Sequence, residues 1–265
     1  MATESFVDIH CHLLPGIDDG AKDLEESLAM ARLAVADGIS TVVCTPHQCG
    51  NYSCNQTDTI RCSVDTLQDA LHQAQIPLKI LPGADVRIES DLVAELRADQ
   101  ILSLADQKCH VLLELPHELY FPLEKLHRHL KAEGVTGILS HPERNQGLLN
   151  QPDLIKPLVE QGLLMQLTAG SLVGTFGEQV QKFSDYLIRN GLIHFISTDA
   201  HGPKRRRPLL SRAFERAARL VGEKTAIELC HDNPLCVVKG HQVPDGIRSS
   251  SRGGLRKWFS RNSAA

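Results

Sequence analysis

The sequence predicts an α/β fold of repeated βα units, a distorted seven-stranded (β/α) barrel ahead of an open doubly wound sheet. Short, continuously apolar runs alternate with amphipathic stretches along most of the 265 residues, as in a parallel sheet covered on both faces. Glycines recur between a helical stretch and the next apolar run, where a helix ends in a left-handed residue. Histidines and acids collect just after the apolar runs, at the carboxyl ends where parallel α/β folds gather functional groups.

The strands are expected at 6–10, 39–45, 78–81, 110–115, 135–140, 163–167 and 192–197, each bounded by turn-forming residues. Between them helices are expected near 23–37, 57–75, 89–98, 122–132, 153–161 and 177–190, with a final pair within 206–231. The first helix carries Asp23 as N-cap and Glu26 three residues on, a capping-box pattern. Gly38, Gly134, Gly162 and Gly191 supply the C-terminal stops. Crossovers in such a sheet are right-handed, so all strand ends face one way. Residues 1–238 read as one domain and 239–265 as a basic, mobile tail, with a short amphipathic turn at "LRKWFSR" docking on a partner or on the body as the alternative.

Composition excludes several classes of function. Twenty-eight basic against 32 acidic residues give a formal charge of -4, so no global field draws in nucleic acid or an anionic membrane, and phosphate recognition must be local. No apolar run reaches the ~18 residues of a membrane span, and the N-terminus lacks a signal-peptide pattern. A cytoplasmic protein with reduced thiols is expected, despite eight cysteines. Cys44, Cys49, Cys54 and Cys62 cluster after the second strand but lack a C-x2-C pair, which argues against structural zinc. Cys11 lies between two histidines on the alternate face and should pack.

Thirteen histidines are more than packing asks for, and their placement is the main signal. Strand 1 delivers His10 and His12, then Asp18 and Asp19; strand 2 delivers His47, strand 3 Asp85, and strand 4 Glu114 with His117. Strand 5 delivers His141, Glu143 and Arg144, and strand 7 Asp199 and His201. Only strand 6, "LMQLTAGS", ends without a strong ligand. One histidine at a strand end is usually a hydrogen-bonded structural residue, but six of seven strands ending this way is hard to obtain from packing. Converging carboxylates would repel and lose solvation, and two or three divalent cations would offset that charge. Imidazole with carboxylate suits manganese, iron or zinc.

With His10-Cys-His12, "GIDDG", "TPH", "SHPER" and "TDAH" in that order, the chain resembles the PHP superfamily of polymerase and histidinol phosphatase domains. Its N-terminal "DIHCHLLPGIDDGAKDLEESLAMARLAVADGISTVVCTPH" resembles the CpsB/CapC-type capsular polysaccharide tyrosine phosphatases of bacteria, the acid pair being the discriminating part. The likeness runs from about residue 6 to Pro234. It implies a trinuclear site on a distorted, TIM-like (β/α)7 barrel, with manganese as first choice. His10, His12, Glu114 and Asp199 would hold one ion. Asp85 and His141 would hold a second, bridged by Glu114, and Asp19, His47 and His201 a third. Arg144 would meet a phosphate oxygen, and Arg207 is the best match to the family's second arginine, with Arg206 the alternative. Asp18 is open between a supporting partner and a turn residue. The family usually has glutamate where this chain has Asp85, so weaker binding of the second ion, or binding through water, is expected.

The function this implies is metal-dependent hydrolysis of phosphotyrosine, the target being the tyrosine-rich tail of an autophosphorylating bacterial kinase in capsule or exopolysaccharide assembly. Divalent cations would lower the pKa of water and neutralise phosphate charge, so no protein nucleophile is needed. No cysteine is followed six residues later by arginine, and neither an Asp-x-Asp nor a G-x4-GK[ST] motif is present. A histidinol-phosphatase-like enzyme shares the chemistry but would favour a more enclosed pocket. A nuclease would show a basic groove, and a non-catalytic binding protein would have closed metal sites.

Overall fold

A computed structural model describes residues 5–244. It contains nine strands: β1 (Phe6–Cys11), β2 (Ile39–Cys44), β3 (His47–Gln48), β4 (Lys79–Pro82), β5 (Asp85–Arg87), β6 (His110–Glu114), β7 (Thr136–Ser140), β8 (Leu164–Thr168) and β9 (Phe195–Ser197). All seven strand pairings are parallel, as the apolar runs require. The strands form two sheets, ordered β1-β2-β4 and β3-β5-β6-β7-β8-β9. Among the described residues no sheet closes on itself, so the α/β class with parallel sheets stands and a continuous closed ladder does not.

The split has a local cause. β2 and β4 each run out of one sheet and restart in the other as β3 and β5, and each break sits at a proline, Pro46 or Pro82, which has no N–H for a ladder. Gly83 follows, and a Cβ there would lie 2.6 Å from Val43 Cγ1, so only glycine lets the two chains pass. The sheets touch again where Cys11 bridges Ala200 in parallel, with the His12 N–H donating to Ala200 O at 2.9 Å.

The helices cover the sheets as the amphipathic pattern predicts. In the helix Leu24–Ala36 the Asp23 carboxylate accepts from the Glu26 N–H at 2.9 Å, while Glu26 reaches back to the Lys22 N–H. Gly38, Gly134, Gly162 and Gly191 all have positive φ. A large apolar cluster lies between strands and helices, with Val111, Leu113, Leu139 and Met165 on the outward face of β6–β8. A smaller one collects Leu112, Ile138, Leu164 and Phe195 with Val237 from the helix Asn233–Val238. Each such fully buried side chain contributes about 1.5–3 kcal/mol of transfer free energy. Two residues further along the same face come Glu114, Ser140 and Gln166, because strand side chains alternate with period two. The inner face is thus an apolar floor below a polar layer.

Chain packing continues past residue 238, with Val243 buried in the smaller cluster. The remainder of the expected tail, including "LRKWFSR", lies outside the described residues. Among the described residues, no helix is long and apolar enough to cross a membrane.

Candidate metal centre

The expected ligands meet above the polar layer. His10 is the penultimate residue of β1 and is fully buried, its Nε2 lying 3.3 Å from His12 Nε2 and 3.3 Å from Asp199 Oδ1. Asp85 Oδ2 stands 3.6 Å from His10 Nε2, 3.6 Å from His47 Nδ1 and 4.0 Å from His141 Nε2. Glu114 lies 3.7 Å from His47 Nδ1 and 3.9 Å from His141 Nε2. Asp19 Oδ1 is 3.5 Å from His47 Nε2 and 3.4 Å from His201 Nε2. Donors sharing one ion at roughly 2.0–2.2 Å sit about 3–3.5 Å apart, so these separations are close to edges of a coordination shell. Four sets of donors each fit within 4.8 Å: His12, Asp19, His47 and His201; His10, His12 and Asp85; His10, His141 and Asp199; and His47, Asp85 and Glu114.

The electrostatics ask for positive charge. Both Asp85 carboxylate oxygens are buried without a hydrogen-bond partner, a costly state for an acid unless a cation supplies the missing interaction. Burial, then the nearby Glu114 and Asp199 charges, push the Asp85 carboxyl well above its ordinary value. Burial lowers His10 to about 4 and His12 to about 3, and holds His141 well below the ordinary imidazole value. Those rings are neutral near pH 7, the form in which imidazole binds a metal. Asp19 is held low chiefly by its hydrogen bond to His201. The donor set therefore fits divalent cations in both ligand type and protonation.

The family-level sequence model described as capsular polysaccharide synthesis, CpsB/CapC, matches residues 6–239, nearly the whole described chain. The chain belongs to the CpsB/CapC family. It is 42% identical over 202 residues to the tyrosine-protein phosphatase YwqE of Bacillus subtilis strain 168, covering 76% of this chain and 79% of YwqE. It is 25% identical over 242 residues to the tyrosine-protein phosphatase CpsB of Streptococcus agalactiae, covering 89% of this chain and 100% of CpsB. A solved structure from work on YwqE of Bacillus subtilis and CpsB of Streptococcus pneumoniae, described as unique metal-dependent tyrosine phosphatases, matches with TM-score 0.87 at 34% identity, covering 93% of this chain and 100% of that one.

Within this CpsB/CapC chain the remaining expectations fall as follows. Asp18 is a supporting partner: its Oδ2 lies 2.7 Å from His12 Nδ1 and accepts from the His47 N–H at 3.1 Å, while Oδ1 accepts from the Gly20 N–H. A carboxylate behind a ligating imidazole fixes its tautomer and orientation. Arg144 pairs with Asp199 and lies 4.4 Å over the Phe176 ring. Arg206 also pairs with Asp199, whereas Arg207 is exposed and has no ion pair among the described residues. Glu143 turns away into the core, where it accepts from Thr168 N and Ser171 Oγ. His117 is exposed and lies in none of the donor sets, and no cysteine does either among the described residues.

Two supporting residues escaped sequence reading. Gln166 on β8 meets His10 Nδ1 at 2.9 Å through Oε1, so the strand without a ligand contributes a residue behind one. Asp8 on β1 accepts from Thr198 N, Thr198 Oγ1 and His10 N, tying the start of one strand to the turn that carries Asp199. The signal was available in each case: Asp8 alternates with His10 and His12, and Gln166 is a polar residue inside an apolar strand.

Proposed function

We propose that this protein is a metal-dependent protein-tyrosine phosphatase that hydrolyses phosphotyrosine with an activated water, and that its target is an autophosphorylated tyrosine kinase of capsule or exopolysaccharide assembly in the cytoplasm. The observation that carries this reading is the unpartnered, buried Asp85 carboxylate inside a cage of neutral imidazoles, together with family membership. The two sheets act as one distorted (β/α)7 barrel whose strand ends share a mouth. His10, His12, Asp19, His47, Asp85, Glu114, His141, Asp199 and His201 hold three cations, manganese before iron or zinc. When bound, these supply charge to offset the phosphate and lower the pKa of a water.

The chain's own groups do the rest. Arg144 and Arg206 converge on one oxygen of Asp199 from different loops, which supports a role for their planar guanidiniums in receiving non-bridging phosphate oxygens. This reading prefers Arg206 to Arg207 as the second arginine. Asp18 and Gln166 keep the ring nitrogens of His12 and His10 turned inward. Tyr52 stacks on His47 with ring centroids 5.2 Å apart and offers a flat wall to an incoming aryl ring.

The test is turnover of a phosphotyrosine peptide, histidinol phosphate and short single-stranded DNA by the purified protein, with manganese and with chelator. Peptide hydrolysis abolished by chelator is the expected result. Histidinol phosphate turned over far faster than the peptide would sink the tyrosine reading, and chelator-insensitive activity would sink the metal-dependent one.

A further inference from the structure

Beside the metal centre lies a second concavity of about 510 Å³ whose rim is formed by Lys204, Arg205, Arg206, Arg207 and Arg212, with Phe176 among its apolar walls. No acidic residue lines it. Lys204, Arg205, Arg207 and Arg212 make no ion pair among the described residues, although the chain as a whole is acidic. Five cations ring one cavity with a single counter-charge among the described residues, Asp199 on Arg206, and that excess of positive charge favours an anion there. Arg212 also lies in the first turn of the helix Ser211–Val221, which has no acidic residue in that turn. That helix end is met by an acid from another element, the Asp37 carboxylate accepting from Leu210 N, Ser211 N and Ser211 Oγ.

The cavity is coupled to the centre through two shared side chains. Arg206 lines it while pairing with Asp199, and its Nε is buried without a partner. Phe176 lines it while carrying the Arg144 guanidinium on its ring. The loop is held in register because the His201 N–H donates to Arg206 O at 2.9 Å. We propose that this cavity is a specificity subsite for a second anionic side chain of the substrate, so that the enzyme prefers a phosphotyrosine whose near neighbour is another phosphotyrosine or an acidic residue. The occupant is an extended peptide, with its reacting phosphotyrosine at the centre and its second anion among Lys204, Arg205 and Arg212. A phosphate and a carboxylate share the required chemistry, and guanidiniums favour the phosphate through bidentate contacts.

The proposal rests on the phosphotyrosine reading above, and the experiment separates the two. Three peptides differing at one near position, tyrosine, glutamate or phosphotyrosine, are compared with free phosphotyrosine as substrates of wild-type protein and of the Arg205→Ala, Arg212→Ala double variant. Wild type should show the highest kcat/KM on the doubly phosphorylated peptide, mainly through KM, and added salt should shrink the preference. The double variant should raise that KM by about tenfold, from two exposed charge contacts. Its turnover of free phosphotyrosine should be unchanged. Glutamate matching phosphotyrosine would identify a general anion subsite, and phosphotyrosine alone a phosphate subsite; either supports the assignment. Equal kcat/KM on the three peptides, or a preference that survives in the double variant, would overturn it while leaving the phosphatase reading intact. Failure on free phosphotyrosine itself would overturn both.

Discussion

Asp199 is the residue on which the centre turns. It has φ of 50°, in the left-handed region that side chains rarely adopt, and His141 is similar at 32°. Such conformations cost about 1–3 kcal/mol each and persist where neighbours over-determine them; here the Asp199 N–H donates to His10 O at 2.8 Å, and Thr198 is bolted to Asp8. Two arginines meet this one carboxylate, which sharpens the choice the sequence left open. Replacing Arg206 with alanine should lower kcat on phosphotyrosine peptide by about 10²-fold, the scale of losing one transition-state charge contact. Arg207→Ala should leave kcat within about twofold, since Arg207 has no contact with Asp199; steady-state kinetics of the two variants make the comparison. Asp18→Ala acts through His12 instead. Its manganese affinity should fall about 10–100-fold by metal titration, with activity recovering at higher metal concentration, which a merely unfolded variant would not show.

At the scale of elements, the ligand-bearing strand ends were legible because each apolar run hands its polar residue to the same side of a parallel sheet. β1, β2, β6, β7 and β8 fall within about a residue or two of the expected runs. β3 and β5 were not legible: two and three residues are too short to show a period. They exist because the chain crosses between sheets at Pro46 and Pro82, and a crossover is a tertiary event that leaves only a proline as trace. The supporting shell was hidden for another reason, since Asp8 and Gln166 look like blemishes in apolar strands until their partners are known. His110, at the start of β6, gives a separate prediction. Burial lowers its pKa from 6.5 to about 4, and its Nδ1 has no hydrogen-bond partner. A depressed histidine means the unfolded chain binds the proton more readily, so stability is full above pH 6.5 and falls as pH drops toward 4, by up to about 3 kcal/mol. In His110→Leu the urea midpoint should fall less steeply over that window than in wild type.

For the whole molecule, a metal that binds the cage of buried acids and neutral imidazoles only in the folded chain would make folding and loading one equilibrium. Saturating manganese at about 1,000 times its dissociation constant should add about 4 kcal/mol per site that binds only the folded chain. Thermal unfolding followed by calorimetry should therefore show a large drop in Tm on chelation, restored by manganese. An unchanged Tm would mean that the donors are satisfied without metal. The acidic overall charge and the basic rim beside the centre further predict that peptide turnover weakens with salt while turnover of free phosphotyrosine does not.

β3 and β5 carry one more implication. His47 and Asp85 are register partners at the first step of the second sheet, just beyond the two prolines where the ladder lapses, and the Asp85 N–H reaches back to Pro46 O at 3.1 Å. Side chains also span the seam, Asp85 of the second sheet standing 3.6 Å from His10 of the first, beside the backbone contact of the His12 N–H with Ala200 O. A metal-stripped protein should keep its amide protons protected along β6 to β8 yet exchange them faster at residues 44–48 and 82–87, an outcome that would make the donor cage a rivet between the two sheets.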